Sequence, residues 1–256
     1  MADSLTWPDL LSTLLDRRDL SVWESTWAMR QVMQGRVTDA QLAGFLVALR
    51  AKGETIDEIV GFRDAILEAA VPLPVSSDVL DIVGTGGDRI GTVNISTTAA
   101  IIIGASGIPV VKHGNRAASS SSGSSAVLAA LGLDISLDPE RVAAALERTG
   151  ITFAWAAAFH PGFKHAGVAR SELAVPTVFN MLGPLCNPAR AEANAVGVAQ
   201  LDRVPDAAPA AQRAQELTQP PGVRLQVRRQ LPEHDVELVA EAARLVAQQC
   251  DGAVDV

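Results

Sequence analysis

The sequence DIVGTGGD, residues 81–88, decides the fold class because it joins a buried strand to a glycine-rich loop. Its apolar start continues a run at residues 79–83, which is typical of a strand covered on both faces. A helix is predicted to begin at about Asn94. The glycines let the backbone approach an anion, and N–H groups of the loop and helix start supply positive potential. A tight structural turn explains this loop almost as well.

Strands and helices continue to alternate after this loop. Residues 108–111 are a second predicted strand and residues 151–155 a third, with a helix ending at Leu131 between them. Another helix is predicted between Asp138, which can cap free N–H groups, and Gly150, which can end it. This alternation predicts an α/β domain with a mostly parallel sheet.

The chain before Pro72 is predicted to be helical. Capping boxes mark three helix starts, at Ser21–Glu24, Thr38–Gln41 and Thr55–Glu58. Gly35 and Gly53 stand where such helices end. Apolar residues at helical spacing form one face on each of two helices: Leu42, Phe45, Leu46 and Leu49, then Ile59, Phe62 and Ile66. These faces predict a helical core, and a spare apolar face could also form a dimer.

A second loop, KHGNRAASSSSGS at residues 112–124, follows the second predicted strand. It combines Lys112 and Arg116 with a run of hydroxyls and a helix start, which suits a second anion. A flexible Ser/Gly linker is the alternative, but a linker has no need of Lys112, His113, Asn115 and Arg116 at its head. Two such loops after neighbouring strands predict a ligand with two phosphate groups.

Composition excludes several classes of protein. The formal net charge is −8 and no segment concentrates basic residues, which disfavours nucleic-acid binding. Cys186 and Cys250 are too few and too far apart for a disulfide framework or a zinc site. No signal peptide is evident, and the longest apolar run, residues 99–111, is broken by glycine and proline. A cytoplasmic protein without a membrane segment is therefore expected.

Five motifs in register resemble the anthranilate phosphoribosyltransferase family. They are DIVGTGGD at 81–88, TVNIST at 92–97, KHGNRAASS at 112–120, FHPGFKHA at 159–166 and PTVFNMLGPLCNPA at 176–189. The resemblance covers about residues 7–204. It implies transfer of the phosphoribosyl group from phosphoribosyl pyrophosphate (PRPP) to anthranilate, with release of pyrophosphate, in tryptophan biosynthesis.

The resemblance also implies an organisation and a set of site residues. Residues 1–72 would be a helical dimerisation domain, 73–204 the α/β PRPP-binding domain, and 205–256 a divergent or truncated tail. The implied PRPP site consists of Gly84, Gly87, Asp88, Thr92, Asn94, Ile95, Ser96, Thr97, Lys112, His113, Gly114, Asn115, Arg116, Ala117, Ala118, Ser119, Ser120 and Ser124. Gly84, Asn115 and Arg170 would bind anthranilate, with His113, His160 and Pro184 along its path. Ser96 would be a ligand of Mg²⁺, the implied cofactor.

The sequence departs from the family pattern in two places. No Asp-Glu dipeptide of the kind that binds magnesium follows Val204, and Ala126 replaces a usual aspartate. Residues 205–225 show no convincing strand, 237–250 are at best an amphipathic helix, and 252–256 resemble the start of a strand. We therefore expect an incomplete sheet with an exposed apolar edge, weakened magnesium binding and low turnover.

Two alternative functions and one alternative interpretation of the histidines stay open. A pyrimidine nucleoside phosphorylase shares the implied fold, although its lysine–histidine–serine–threonine–glycine–glycine loop is not found here. A non-catalytic or catalytically impaired PRPP-binding remnant of the family is the second. For His160 and His165, a plain position as half-buried helix residues is as good an interpretation as a functional one.

Overall fold

The structure is a computed structural model that describes residues 5–85, 94–115 and 123–197, together with the backbone of strand Gln226–Arg228. The predicted helix at 237–250 and most of the tail lie outside the described residues. Within the described part, no helix is both long and apolar enough to span a bilayer.

Four helices form the N-terminal layer: α1 (Trp7–Leu15), α2 (Val22–Met33), α3 (Asp39–Lys52) and α4 (Ile56–Glu68). All three predicted capping boxes are present, at α2, α3 and α4. A fourth box, Thr6 with Asp9, starts α1 and was not predicted. Gly53 caps the end of α3, and Gly35 follows α2 with φ of 67°. Local capping chemistry therefore sets where these helices begin and end.

The predicted apolar faces of α3 and α4 form the core of this layer. Phe45 and Phe62 are fully buried, with ring centroids 5.9 Å apart in an edge-to-face arrangement. Trp7 of α1 packs edge-on against Phe45 at 5.5 Å. Such edge-to-face pairs add to the free energy that burial of the rings already contributes.

Gly61 permits close packing of α4 against α2. A Cβ atom there would lie 2.6 Å from the Val22 carbonyl oxygen and 2.8 Å from Ser25 Cβ. We expect Gly61→Ala to lower the free energy of unfolding by about 2 kcal/mol, because overpacking forces a helix shift. Gly44→Ala is the matched control, since its Cβ would meet only Leu11 Cδ2 at 3.7 Å. It should raise stability by about 0.5–1 kcal/mol in the same denaturant titration, and a loss in both variants would contradict this packing.

Five parallel strands form one sheet: β1 (Leu80–Gly84), β2 (Val110–Gly114), β3 (Ile151–Trp155), β4 (Ala193–Gly197) and β5 (Gln226–Arg228). Their order is β3-β2-β1-β4-β5. The three predicted strands are confirmed, whereas β4 and β5 were not predicted. The expectation that the sheet is incomplete stays a prediction.

Helices cover both faces of the sheet, as an α/β domain requires. Helix α5 (Ile95–Ala105) packs on one face, where Ile82, Ala100 and Val110 are buried together. Helix α7 (Pro139–Thr149) packs on the other, where Val142 lies in a cluster with Val111. A shorter helix, α6 (Ser124–Ala130), follows the second loop. The predicted cap at Asp138 and the left-handed Gly150 are both present at α7.

The chain after β3 returns to the helical layer. It forms α8 (Ala156–Phe159), a 3-10 helix (Pro161–Ala166), α9 (Gly167–Leu173), α10 (Phe179–Leu182) and a second 3-10 helix (Gly183–Leu185). Ala166, Phe179 and Cys186 share one buried cluster with the N-terminal helices. A Cβ at Gly162 would lie 2.9 Å from the Met33 carbonyl oxygen, so the contact is close. The segment therefore joins the helical layer to the sheet.

Candidate functional site

The two anion loops begin at the same edge of the sheet. β1 ends at Gly84 and β2 at Gly114, and the strands are parallel neighbours. A Cβ at Gly114 would lie 3.4 Å from Ser124 Cβ, which places the start of α6 beside the end of β2. Carboxyl ends of neighbouring strands are the usual position of ligand sites in parallel sheets.

Many of the predicted PRPP-binding residues are described, and the structure places them at this edge or on the elements that start from it. They are Gly84, Asn94, Ile95, Ser96, Thr97, Lys112, His113, Gly114, Asn115 and Ser124. The others, Gly87, Asp88, Thr92, Arg116, Ala117, Ala118, Ser119 and Ser120, lie outside the described residues.

Lys112 of β2 contacts both β1 and α5 through its ammonium group. The Nζ atom donates to the Ile82 carbonyl oxygen at 2.6 Å and to Ser96 Oγ, in the first turn of α5, at 3.2 Å. Only 3% of the residue is exposed. Burial lowers the pKa of Lys112, while the charge of Asp81 opposes that shift. A cation is thereby held between β1 and the first turn of α5, the two elements that the first loop joins.

Asp81 is a buried carboxylate of this site that the sequence analysis did not single out. Its Oδ1 accepts the His113 backbone N–H at 3.0 Å, and none of the residue is exposed. Burial raises its pKa to about 6, although the His113 N–H and the Lys112 charge act in the opposite direction. The sequence did contain a signal for Asp81, because an acidic residue stands inside a strand predicted to be buried. Burying a carboxylate costs free energy unless partners bond to it, so partners were to be expected.

The described residues do not by themselves form a magnesium site. Ser96 contributes one neutral hydroxyl, and the Lys112 ammonium lies 3.2 Å from that oxygen. No group of three or more His, Cys, Asp or Glu side chains able to hold a metal occurs among the described residues. Since Mg²⁺ prefers several oxygen ligands, including carboxylates, Ser96 alone does not fit the ion.

Two buried histidines, His113 of β2 and His160, have their rings in contact. The His113 and His160 rings are 5.1 Å apart, and His113 Nδ1 is 3.1 Å from the Gly183 carbonyl oxygen. Burial, followed by the nearby His160, lowers the pKa of His113 to about 3. Burial also lowers the pKa of His160 to about 4, although the Cys186 backbone opposes the shift. Both imidazoles are therefore neutral at pH 7 and add no charge to the site.

The plain interpretation, that both His160 and His165 are half-buried helix residues, agrees with His165 and is wrong for His160. His160 is only 2% exposed and lies between α8 and the first 3-10 helix, so it is a fully buried ring outside regular helix. His165 is half-buried in that 3-10 helix, and its ring would be 2.8 Å from a Cβ at Gly35. His165 therefore packs against the helical layer, away from the ring contacts of His160.

A continuous series of ring contacts leads from His160 to Arg170. His160 stacks on Phe163 at 5.1 Å, and Phe163 meets Phe179 edge-on at 5.8 Å. The Arg170 Cζ lies 4.9 Å from the Phe179 ring centroid. Pro184 is buried in the 3-10 helix that contains Gly183, the acceptor for His113. The residues predicted along the anthranilate path are thus brought together.

Arg170 has no anionic partner within the described part of the chain. None of the ion pairs among the described residues includes Arg170. Its guanidinium instead lies over the ring of Phe179. Burial lowers its pKa, since removal from water disfavours the charged guanidinium. A ligand carboxylate would offset that cost with two parallel hydrogen bonds.

Family models match most of the chain. The α/β domain of a glycosyl transferase family matches residues 76–219, and the helical bundle domain of the same family matches residues 8–70. The anthranilate phosphoribosyltransferase of Leifsonia xyli is 71% identical over 205 residues, and that of Clavibacter michiganensis is 65% identical over 206. The chain belongs to this glycosyl transferase family.

Solved structures of family members share the fold. The anthranilate phosphoribosyltransferase of Thermus thermophilus superposes with a TM-score of 0.77 at 45% identity, covering 80% of this chain and 63% of that one. A Saccharomyces cerevisiae member, in complex with PRPP and Mg, has a TM-score of 0.77 at 29% identity, covering 86% of this chain and 64% of that one.

The family alignments leave part of each relative unmatched. The matches to both curated relatives cover 80% of this chain and 59% of the relative. The chain thus spans less than two thirds of the length of these family members.

Proposed function

We propose that the chain binds PRPP at the carboxyl ends of β1 and β2 and transfers its phosphoribosyl group to anthranilate. The observation that carries this proposal is Lys112, a buried cation that contacts both Ile82 of β1 and Ser96 of α5. Two neighbouring loops with helix starts can take the two phosphate-bearing ends of such a ligand. The products would be N-(5-phosphoribosyl)anthranilate and pyrophosphate, as a step of tryptophan biosynthesis.

The proposed reaction demands charge stabilisation and positioning. A bond forms between the amine nitrogen and the anomeric carbon of ribose, while the bond from that carbon to the pyrophosphate oxygen breaks. Negative charge grows on pyrophosphate, so backbone N–H groups and Lys112 stabilise the transition state. The aromatic amine attacks through its lone pair and loses a proton afterwards. A strong base is therefore not required, which agrees with the neutral His113 and His160.

We place anthranilate along the ring contacts that end at Arg170. The neutral rings of His113, His160 and Phe163 suit a flat aromatic acid. Arg170 would pair with its carboxylate, and Gly84 and Asn115 would lie at the end next to PRPP. Pro184 would line the same path.

The full PRPP site that we propose includes residues on both loops. The loop after β1 would contribute Gly84, Gly87, Asp88, Thr92, Asn94, Ile95, Ser96 and Thr97, and the loop after β2 Lys112 through Ser120 together with Ser124. We propose Mg²⁺ as the cofactor because a Saccharomyces cerevisiae family member is in complex with PRPP and Mg. Ser96 would be one ligand among others.

We also propose a homodimer formed by the helical layer. Four large apolar side chains of α1, α2 and α3 are exposed: Leu15, Val22, Trp23 and Val47. Residues 1–72 would be the dimerisation domain, 73–204 the PRPP-binding domain and 205–256 a divergent tail, with the protein in the cytoplasm. Sedimentation of the wild type and of Trp23→Asp would show whether this layer associates.

The transfer reaction can be tested by following anthranilate fluorescence with excess PRPP and Mg²⁺. A fall in fluorescence that requires both substrates and releases pyrophosphate would support the proposal. Phosphorolysis of a pyrimidine nucleoside, with no loss of anthranilate, would instead support the phosphorylase alternative. PRPP binding without either reaction would support a non-catalytic member of the family.

We expect Arg170→Ala to weaken anthranilate binding by about tenfold to a hundredfold, because a charge-assisted pair contributes about 1.5–3 kcal/mol. PRPP affinity should change little. Arg141→Ala is the control, because Arg141 is an exposed arginine on α7. Calorimetry with each substrate separates the effects, and equal losses for both substrates would reject the assignment.

A further inference from the structure

The pairing of β1 with β2 stops early. The two strands pair in register only at Leu80 and Val110, whereas β1 pairs with β4, and β2 with β3, along five residues. In a regular parallel ladder, the next step would join Ile82 to Val111 and His113 through backbone hydrogen bonds. Three backbone groups at that step are instead engaged by side chains: the Ile82 and Val111 carbonyl oxygens and the His113 N–H.

Two of these bonds cross between the strands in opposite directions. The Asp81 carboxylate of β1 accepts the His113 N–H of β2 at 3.0 Å. Lys112 of β2 donates from Nζ to the Ile82 carbonyl oxygen of β1 at 2.6 Å. Each charged side chain thus occupies a backbone group that the neighbouring strand would otherwise bond directly.

A third side chain, Asn187, acts on β2 from the connection before β4. Its Nδ2 donates to the Val111 carbonyl oxygen at 2.8 Å, and its Oδ1 accepts the Ala189 N–H at 2.9 Å. Only 4% of Asn187 is exposed.

We propose that Asp81 and Asn187 are positioning residues for the ligand between the two loops. They hold the C-terminal half of β2 apart from β1 and so fix the spacing between the loops that start after Gly84 and Gly114. A direct ladder would need no buried charges, and burying a carboxylate is costly. The spacing explains why the strands are joined through side chains instead. The identity of the ligand, PRPP, rests on the proposed function.

The test measures two properties of Asp81→Leu: exchange of the His113 amide hydrogen, followed by NMR, and PRPP affinity, measured by calorimetry. Exchange should accelerate by about tenfold or more, because the N–H loses its acceptor. PRPP affinity should fall by about tenfold or more, which corresponds to about 1.4 kcal/mol. Asp81→Asn keeps an acceptor oxygen and should keep both properties within about threefold.

Asp78→Asn is the charge-matched control, because Asp78 is exposed just before β1 and its carboxylate contacts neither strand in the described residues. It should leave both properties unchanged. If Asp81→Leu does not fold, Asn187→Leu replaces it, because leucine cannot donate to the Val111 carbonyl and adds no charge. Its PRPP affinity should fall by about tenfold or more.

Exchange or PRPP affinity of a folded Asp81→Leu within about threefold of wild type would overturn the proposal. If the wild type does not bind PRPP, the proposed function fails, and the exchange measurement alone still decides whether Asp81 holds the strand.

Discussion

Lys112→Met should weaken PRPP binding by about a hundredfold at physiological salt, because losing an ammonium that makes charge-assisted hydrogen bonds costs about 1.5–3 kcal/mol. Lys112 is 3% exposed, and its ammonium donates to Ile82 and Ser96. The negative charge of Asp81 favours the charged form of this lysine. Methionine has a similar length and fills the same space without a charge. Calorimetric titration with PRPP measures the loss.

Lys164→Met is the matched control for Lys112→Met. Lys164 is exposed on the first 3-10 helix, so this variant removes the same charge from a solvated position. Its PRPP affinity should stay within about threefold of wild type at physiological salt, where distant charges are screened. Equal losses in the two variants would show that net charge, and not the position of Lys112, controls binding.

Glu58→Ala should lower the free energy of unfolding by about 3 kcal/mol, because it breaks a buried ion pair and leaves hydrogen-bond donors without an acceptor. The Glu58 side chain is fully buried and lies 3.0 Å from Lys52 Nζ. Its carboxylate also accepts the Leu20 N–H at 2.9 Å and the Thr55 N–H at 2.8 Å. Glu58 thereby joins the start of α4 to the segment before α2.

The stability of Glu58→Ala is best compared with that of Asp39→Ala in a urea titration. Asp39 is also an acidic residue in the first turn of a helix, but it is exposed at the start of α3. Its loss should cost less than about 1 kcal/mol, the usual effect of an exposed charge near a helix start. Similar costs in the two variants would contradict the buried role of Glu58.

Local signals in the sequence predicted the helical layer and the first half of the sheet. The capping side chains of Ser21, Thr38 and Thr55 bond N–H groups three residues ahead, so they identify a helix start without knowledge of the fold. Strands β1, β2 and β3 each include a mostly apolar run that a glycine or a turn bounds. These features can be identified from residues that are close together in the sequence.

Strands β4 and β5 lacked such signals. β4 is Ala-Asn-Ala-Val-Gly, with one β-branched residue and no alternation of apolar and polar positions. It becomes a strand because it pairs with β1 along its whole length, more than a hundred residues earlier in the chain. β5 depends in the same way on its pairing with β4. Long-range pairing, not local propensity, defines both strands.

The candidate site was predicted in part. The resemblance to the family brought Lys112, His113 and Arg170 forward by position. The bonds of Asp81 to His113 and of Asn187 to Val111 depend on how distant segments meet, so the sequence did not show them. The motifs DIVGTGGD and GPLCNP contained both residues, but only the structure showed what they contact.

Hydrogen exchange of the wild-type protein, with and without PRPP, tests the central claim most directly. The claim is that PRPP binds between the loops that follow β1 and β2. Binding there predicts slower amide exchange in peptides covering residues 84–97 and 112–124, and little change in α1 and α3. A folded sample that shows no change at about millimolar PRPP, a concentration at which even weak binding is detected, would contradict the claim. Protection confined to other segments would contradict it equally.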